Sequence, residues 1–262
     1  MMKNTLLTIA VVAAATSVAH ADHHKEPGPG YKDTPKITGQ DWLVHDADRP
    51  RPKVVAPGAS FSDLAPAPSD AVVLFDGTNM DRWTGGEWKI EDGYMEVGRG
   101  TIQTPAPFED FQIHLEFATP IDVVGDSQGR GNSGLFLPGN HELQILDSYE
   151  NPTYAGGQAS ALYGQWPPLW NAARGPGQWQ TYDVIFVAPK WDENGANLSP
   201  AFITVIHNGV VTHHHRSFTG ETNHRSASTY EKPNLDKTIK LQDHGNPTRF
   251  RNIWIRAIGD YN

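Results

Sequence analysis

The chain has 262 residues, 38% of them apolar, and carries 30 Asp and Glu against 21 Lys and Arg, a formal net charge of −9. That acidic excess argues against a nucleic-acid partner, because no basic stripe is available to displace counterions from phosphates. There is no Cys, so no disulfide framework and no lipid-bearing Cys supports the fold, and the core must hold it unaided.

Residues 1–21 read as a secretory signal. Lys3 gives a positive start, Leu6 to Ala15 an apolar stretch, and Ala19-His20-Ala21 a small-residue cleavage site. The apolar run is too short for a permanent membrane span, and none later is longer, so a periplasmic or secreted chain without a membrane segment is expected. Residues 22–69 form a Pro-dense arm. Its prolines exclude a helix or a central strand, while Tyr31, Trp42, Leu43, Val54, Val55 and Phe61 are too apolar for a pure spacer. The arm is expected to lie extended over the domain that follows. Asp22-His23-His24 offers donors of the type that copper and nickel take, and the simpler reading is an incidental sequence.

Residues 70–262 change character and form one domain. Val72 to Phe75, Trp88 to Ile90, Tyr94 to Val97, Phe111 to Phe117, Leu135 to Leu137, Glu142 to Asp147, Tyr182 to Val187, Phe202 to His207, Val210 to His214 and Phe250 to Ile258 read as short strands. Asp92-Gly93 and Asn208-Gly209 mark hairpin turns. No segment keeps a 3.6-residue period for three turns, which indicates an antiparallel β-sandwich or jelly roll. Between strands, residues 148–178 form a long loop rich in Tyr and Trp. Loops of that length are usually functional, and aromatic faces suit sugar rings; several of these rings equally suit the ends of the sandwich.

The stretch His141 to Asp147 carries the most chemistry. As a strand it sets Glu142 and Gln144 against Leu143 and Ile145 on the core side. A bulge at Leu146 would return Asp147 to the polar face, making a carboxyl–amide–carboxyl row on a rigid support. The competing reading is the solvated face of a surface strand.

A set of short motifs in fixed order resembles one known family. It comprises Leu74-Phe75-Asp76-Gly77, Trp88-x5-Tyr94, Phe108-x2-Phe111, Gly131-Asn132-Ser133-Gly134, Glu142 to Asp147, Tyr163-Gly164, Pro176-Gly177-x-Trp179, His207-Asn208-Gly209 and Leu241-Gln242-Asp243-His244-Gly245. Together they are similar to the 3-keto-disaccharide hydrolase domain family, over about Asp70 to Tyr261. The arm, with His45-Asp46-x2-Arg49-Pro50, resembles the extension of one subgroup. The resemblance implies an all-β, concanavalin A-like jelly-roll sandwich of two curved antiparallel sheets that binds sugar on its concave face. It also implies a glycoside or oxidised disaccharide substrate whose C3 hydroxyl a partner sugar 3-dehydrogenase has made a ketone.

On that footing Glu142, Asp147 and His244 are the candidates for proton transfer. Arg130, Asn132, Gln144, Tyr163, Trp170, Asn171 and Gln242 are the candidates for holding substrate. No cofactor and no metal is expected. His213 and His215 would share one face of a strand but lack a third ligand at a diagnostic spacing, and Asp122, Asp126 and Asp147 lack a calcium-loop motif. Two alternatives remain: a non-catalytic carbohydrate-binding module, and a conventional glucanase-type glycosidase. The latter is weakened because Glu142-x-Gln144-x-x-Asp147 replaces the middle acid of Glu-x-Asp-x-x-Glu and shortens the last.

Overall fold

Alternation of period two builds this fold. In Phe111–Ala118 the residues Phe111, Ile113, Leu115 and Phe117 are at most 1% exposed and point into the core, while His114 and Glu116 occupy the opposite face. A computed structural model describes residues 29–259; the expected secretory signal and Asp22-His23-His24 lie outside the described residues.

Fifteen strands follow in order: β1 (Lys53–Val54), β2 (Val72–Phe75), β3 (Thr84–Glu91), β4 (Tyr94–Gln103), β5 (Phe111–Ala118), β6 (Ser133–Leu137), β7 (His141–Ile145), β8 (Trp170–Asn171), β9 (Gln180–Val187), β10 (Lys190–Trp191), β11 (Asn197–Ser199), β12 (Phe202–His207), β13 (Val210–Ser217), β14 (Lys240–Leu241) and β15 (Arg249–Ala257). Asp92-Gly93 and Asn208-Gly209 make the expected hairpin turns, all four residues having positive φ.

The main sheet runs β13-β12-β9-β5-β15-β4-β14-β6-β7, with β2 added beside β15 and β3 beside β4. Strand β15 is its corner. Arg249 and Phe250 pair with β4 and β5 together; after a register shift between Arg251 and Trp254 the strand lies between β5 and β2. The sheet thereby curls back on itself, and the Tyr182 hydroxyl of β9 donates to the Gln144 carbonyl of β7 at 2.7 Å. Between the layers lies one core, including Met95, Ile113, Phe117, Leu135, Leu143, Ile145, Tyr182, Val184 and Phe250, all essentially inaccessible. This is the all-β jelly-roll sandwich anticipated above.

The arm is not uniformly extended. Residues 31–46 fold back on themselves, with Tyr31 N–H donating to the His45 carbonyl (2.9 Å) and Thr34 Oγ1 to the Val44 carbonyl (2.6 Å). Strand β1 then pairs in parallel with β8. Residues 60–65 finally seal the outer face of the β5–β9–β15 layer. Ser62 Oγ donates to Asp183 (2.5 Å) and Leu64 N–H to Glu116 (2.6 Å).

Under that seal lies a buried polar cluster. His114 contacts Asp183 (2.8 Å) and Glu116 (3.5 Å), and Arg251 donates to Glu116 at 2.7 Å. Burial opposes the Glu116 charge, but hydrogen bonds from His114, Asn252, Arg251 and Leu64 outweigh it and hold its pKa at about 2. The face-sharing expected of His213 and His215 does not occur. Register shifts along β12–β13 and a positive φ at His215 leave His213 buried against the Ser160 carbonyl and His215 exposed, stacked on Phe202.

Because Glu116 titrates below its ordinary value, its contribution is present above about pH 4.5 and fades as pH falls towards 2. Glu116→Gln leaves Arg251 short of a buried partner and is expected to cost about 3 kcal/mol at neutral pH. Thermal unfolding checks the loss, and faster proteolysis within residues 49–68 reports release of the arm.

Candidate active site

The site grows out of β7. Leu143 and Ile145 are fully buried in the core, which turns Glu142 and Gln144 to the other face. That face is not solvated. The loop carrying Tyr154 and Tyr163 and the folded-back arm cover it, and Glu142 is 6% exposed. The surface-strand reading therefore fails. Its carboxyl accepts no hydrogen bond among the described residues, and burial alone raises its pKa to about 8. Room for it comes from Gly134 on β6, which pairs with Gln144 and lies diagonally across from Glu142, Phe136 being the residue directly opposite. A Cβ there would lie 2.6 Å from Glu142 Oε1 and 3.3 Å from Gln242 Oε1.

Asp147 does not join Glu142 in an open row. The strand ends at Ile145, and Leu146 is as buried as its neighbours. Asp147 is clamped by Arg130 Nε at 2.6 Å and by Tyr149 N–H at 3.1 Å. Burial raises its pKa, with the Arg130 contact opposing the rise. A carboxylate committed to a guanidinium positions a loop rather than exchanging protons freely.

Around Glu142 stands a cluster of phenols and imidazoles. Tyr154 and Tyr163 hydroxyls are 3.1 Å apart; Tyr163 reaches His224 Nδ1 at 3.2 Å, and His224 Nε2 meets the Tyr31 hydroxyl at 2.8 Å. Burial first, with the Glu142 charge contributing, pushes both Tyr154 and Tyr163 upward, so both are neutral donors. His45 packs among them, 4.0 Å from the Tyr154 ring centroid and 4.5 Å from that of Tyr163. Burial, and then the neighbouring His224, lowers its pKa to about 3, and neither of its ring nitrogens has a partner. Its backbone has φ +51°, a conformation that costs free energy outside glycine.

Other expected residues divide. Gln242 Oε1 and Asn132 Oδ1 are buried acceptors without partners, a condition that a hydroxyl-rich ligand would relieve. Gln144 Nε2 is tied to Gln128 Oε1 at 2.9 Å, so it braces the site. Arg130 is engaged by Asp147 and the Tyr149 carbonyl. Asn171 staples loops by donating to the Ser148 carbonyl and accepting from Ala173 N–H. His244 is exposed, close enough to His224 to depress its pKa after burial and Arg225 have done so. Trp170 lines a separate groove that includes neither Glu142 nor Gln242. No set of three His, Cys, Asp or Glu suited to a metal occurs among the described residues. The site residues that spacing did not single out are Tyr31, His45, Gln128 and His224. Two of them lie in the Pro-rich arm, where the sequence signals were the aromatic character of Tyr31 and the His45-Asp46-x2-Arg49-Pro50 motif.

Residues 70–256 match the family described as the 3-keto-alpha-glucoside-1,2-lyase-like domain. Among solved structures, a "putative glycosyl hydrolase" from Parabacteroides distasonis ATCC 8503 is 43% identical, covering 80% of this chain and 93% of its own with a TM-score of 0.72. A second P. distasonis protein of the same description is 22% identical, over 72% of this chain and 99% of its own, with a TM-score of 0.51; that likeness concerns the fold alone. No curated protein matches the chain.

With a native pKa of about 8 against about 4.5 unfolded, Glu142 keeps its proton only in the folded state between those values. Stability therefore falls as pH rises through that window, by on the order of 3 kcal/mol at pH 7. Glu142→Gln removes this penalty. Its melting temperature should match the parent's near pH 4.5 and exceed it increasingly towards pH 8, as calorimetry at stepped pH would show.

Proposed function

Because the chain belongs to the 3-keto-alpha-glucoside-1,2-lyase-like family, and so to the glycosyl hydrolase-like carbohydrate-active proteins, we propose that it is an exported enzyme cleaving 3-keto-glycosides by elimination and hydration. The observation that carries this reading is Glu142: a buried carboxyl with a pKa of about 8, free of hydrogen bonds and ringed by neutral donors. A C3 ketone acidifies the proton on C2. A carboxylate whose conjugate acid titrates near 8 is a far stronger base than an ordinary one.

In the proposed sequence Glu142 takes the C2 proton and the electron pair moves onto the C3 oxygen. Hydroxyls of Tyr163 and Tyr154 are the donors for that enolate oxygen. The enolate reforms the ketone by expelling the C1 oxygen, which gains a proton from His244 at the rim. A C1=C2 double bond conjugated with the C3 ketone remains. Water adds its hydroxide to C1 and gives its remaining proton to His244, Glu142 returns the proton to C2, and the sum is hydrolysis. Gln242 and Asn132 accept hydrogen bonds from sugar hydroxyls, and Gln144, Asp147 and Arg130 hold the frame. The 3-keto substrate must come from an oxidoreductase acting on sugar C3. The conventional glycosidase reading ranks lower because Asp147 is already paired with Arg130.

A mass-spectrometric time course with 3-keto-cellobiose and 3-keto-trehalose beside their unoxidised parents tests the reaction. Release of sugar only from the keto forms, with deuterium entering C2 in heavy water, is the expected result. Cleavage of the parents, or no exchange at C2, would remove the enolate route. Glu142→Gln should lower turnover at least 1,000-fold and Asp147→Asn about tenfold to a hundredfold. The low-pH limb of kcat/KM should titrate near 8, since only the deprotonated carboxylate acts.

A further inference from the structure

Beside this site lies a groove of about 760 Å³ between the arm, the loop after Trp166 and β13, a volume typical of small-molecule sites. We infer that this groove binds an acidic carbohydrate, a glycan segment bearing carboxylate or sulfate groups. Its lining carries Arg49, Arg51, Lys53 and Arg216, together with Trp166 and Trp170, and no Asp or Glu. Four permanent cations thus converge in a protein whose net charge is −9.

The convergence is not neutralised. Elsewhere Arg99, Arg130, Arg225, Arg251 and Arg256 sit in ion pairs, whereas Arg51, Lys53 and Arg216 have no acidic partner among the described residues. Arg49 donates to the Gln165 carbonyl and Gln40 Oε1; burial and the nearby Arg216 hold its pKa at about 10, with Asp46 opposing. Like charges crowded together raise the free energy of the folded protein unless an anion relieves them.

Shape and aromatics favour a sugar as the carrier of that anion. The Arg216 guanidinium lies 4.3 Å over the Trp166 ring, which fixes its plane and leaves its N–H edges for a carboxylate or sulfate. Trp170 is 41% exposed and offers a flat apolar face of the kind that stacks on a pyranose. The same two segments also wall the site. Arg49 follows His45 by four residues, a span of at most about 14 Å, and Trp166 follows Tyr163 by three. A saccharide extending from Glu142 would run towards the groove. Only the preference for a sugar over another anion rests on the proposed function.

Calorimetry and tryptophan fluorescence on the full chain decide the matter, with digalacturonate, a sulfated disaccharide, neutral cellobiose and sodium sulfate as probes. We expect digalacturonate or the sulfated disaccharide to bind at least tenfold more tightly than cellobiose and to weaken as salt rises; which of the two is tighter identifies the acidic group. Arg51→Ala with Lys53→Ala should weaken that binding at least tenfold, Trp170→Ala should abolish the fluorescence change, and Glu142→Gln should alter neither. Equal affinity for cellobiose, no binding of either acidic sugar, or indifference to Arg51→Ala with Lys53→Ala would overturn the inference. So would sodium sulfate binding as tightly as the sugars, or capture of anionic phosphatidylglycerol vesicles in their place. Because the readout is binding, a failed keto-glycoside assay leaves it standing, and its own failure leaves the assay untouched.

Discussion

Everything in this protein turns on the two-residue period of β7. Leu143 and Ile145 must enter a core shared with Leu135, Tyr182 and Val184, and no one-residue slip is tolerated there, since it would bury Glu142 and Gln144 in that core and expel the aliphatic pair. The packing free energy of the sandwich thus fixes where the carboxyl stands. The protein uses that rigidity to hold a group in an environment it would otherwise leave. A carboxyl without a hydrogen bond, under a lid of aromatic rings, is destabilising, and only neighbours anchored by the core can impose it.

The arm completes what the sandwich leaves open. A two-layer β-structure has two outward faces, and each carries polar side chains that need either water or protein partners. Residues 60–65 satisfy one face through Glu116, Asp183 and Thr181. Residues 31–45 dehydrate the other by bringing Tyr31 and His45 against the rings of Tyr154 and Tyr163. One segment thus performs a structural task and a chemical one. Proline suits both, because it limits the freedom the arm loses on docking.

Much of this was legible in the chain. Alternation in Phe111–Ala118 and the turns at Asp92-Gly93 and Asn208-Gly209 are local properties, and local periodicity exposes them. Glu142 and Gln144 were legible for the same reason. Asp147 was not, because its fate depends on Arg130 seventeen positions earlier and on the chain turning after Ile145. The Tyr31–His224 contact joins residues 193 positions apart and leaves no spacing signal. His213 and His215 show the opposite error: the period was right for a regular strand, and bulges in β12–β13 broke it.

Orphaned polar atoms link the geometry to its chemistry. Both ring nitrogens of His45, Asn132 Oδ1 and Gln242 Oε1 are buried without partners, and each such group costs about 1–3 kcal/mol when left unmet. A folded chain retains several of these together where something else completes them. Phenols and imidazole N–H groups supply donors, and the amide oxygens supply acceptors. A sugar hydroxyl, which both donates and accepts, can meet either need. In the proposed reaction a ketone oxygen would add a further acceptor for those phenols, and the C–H beside that carbonyl is the bond that a carboxylate of raised basicity is suited to break.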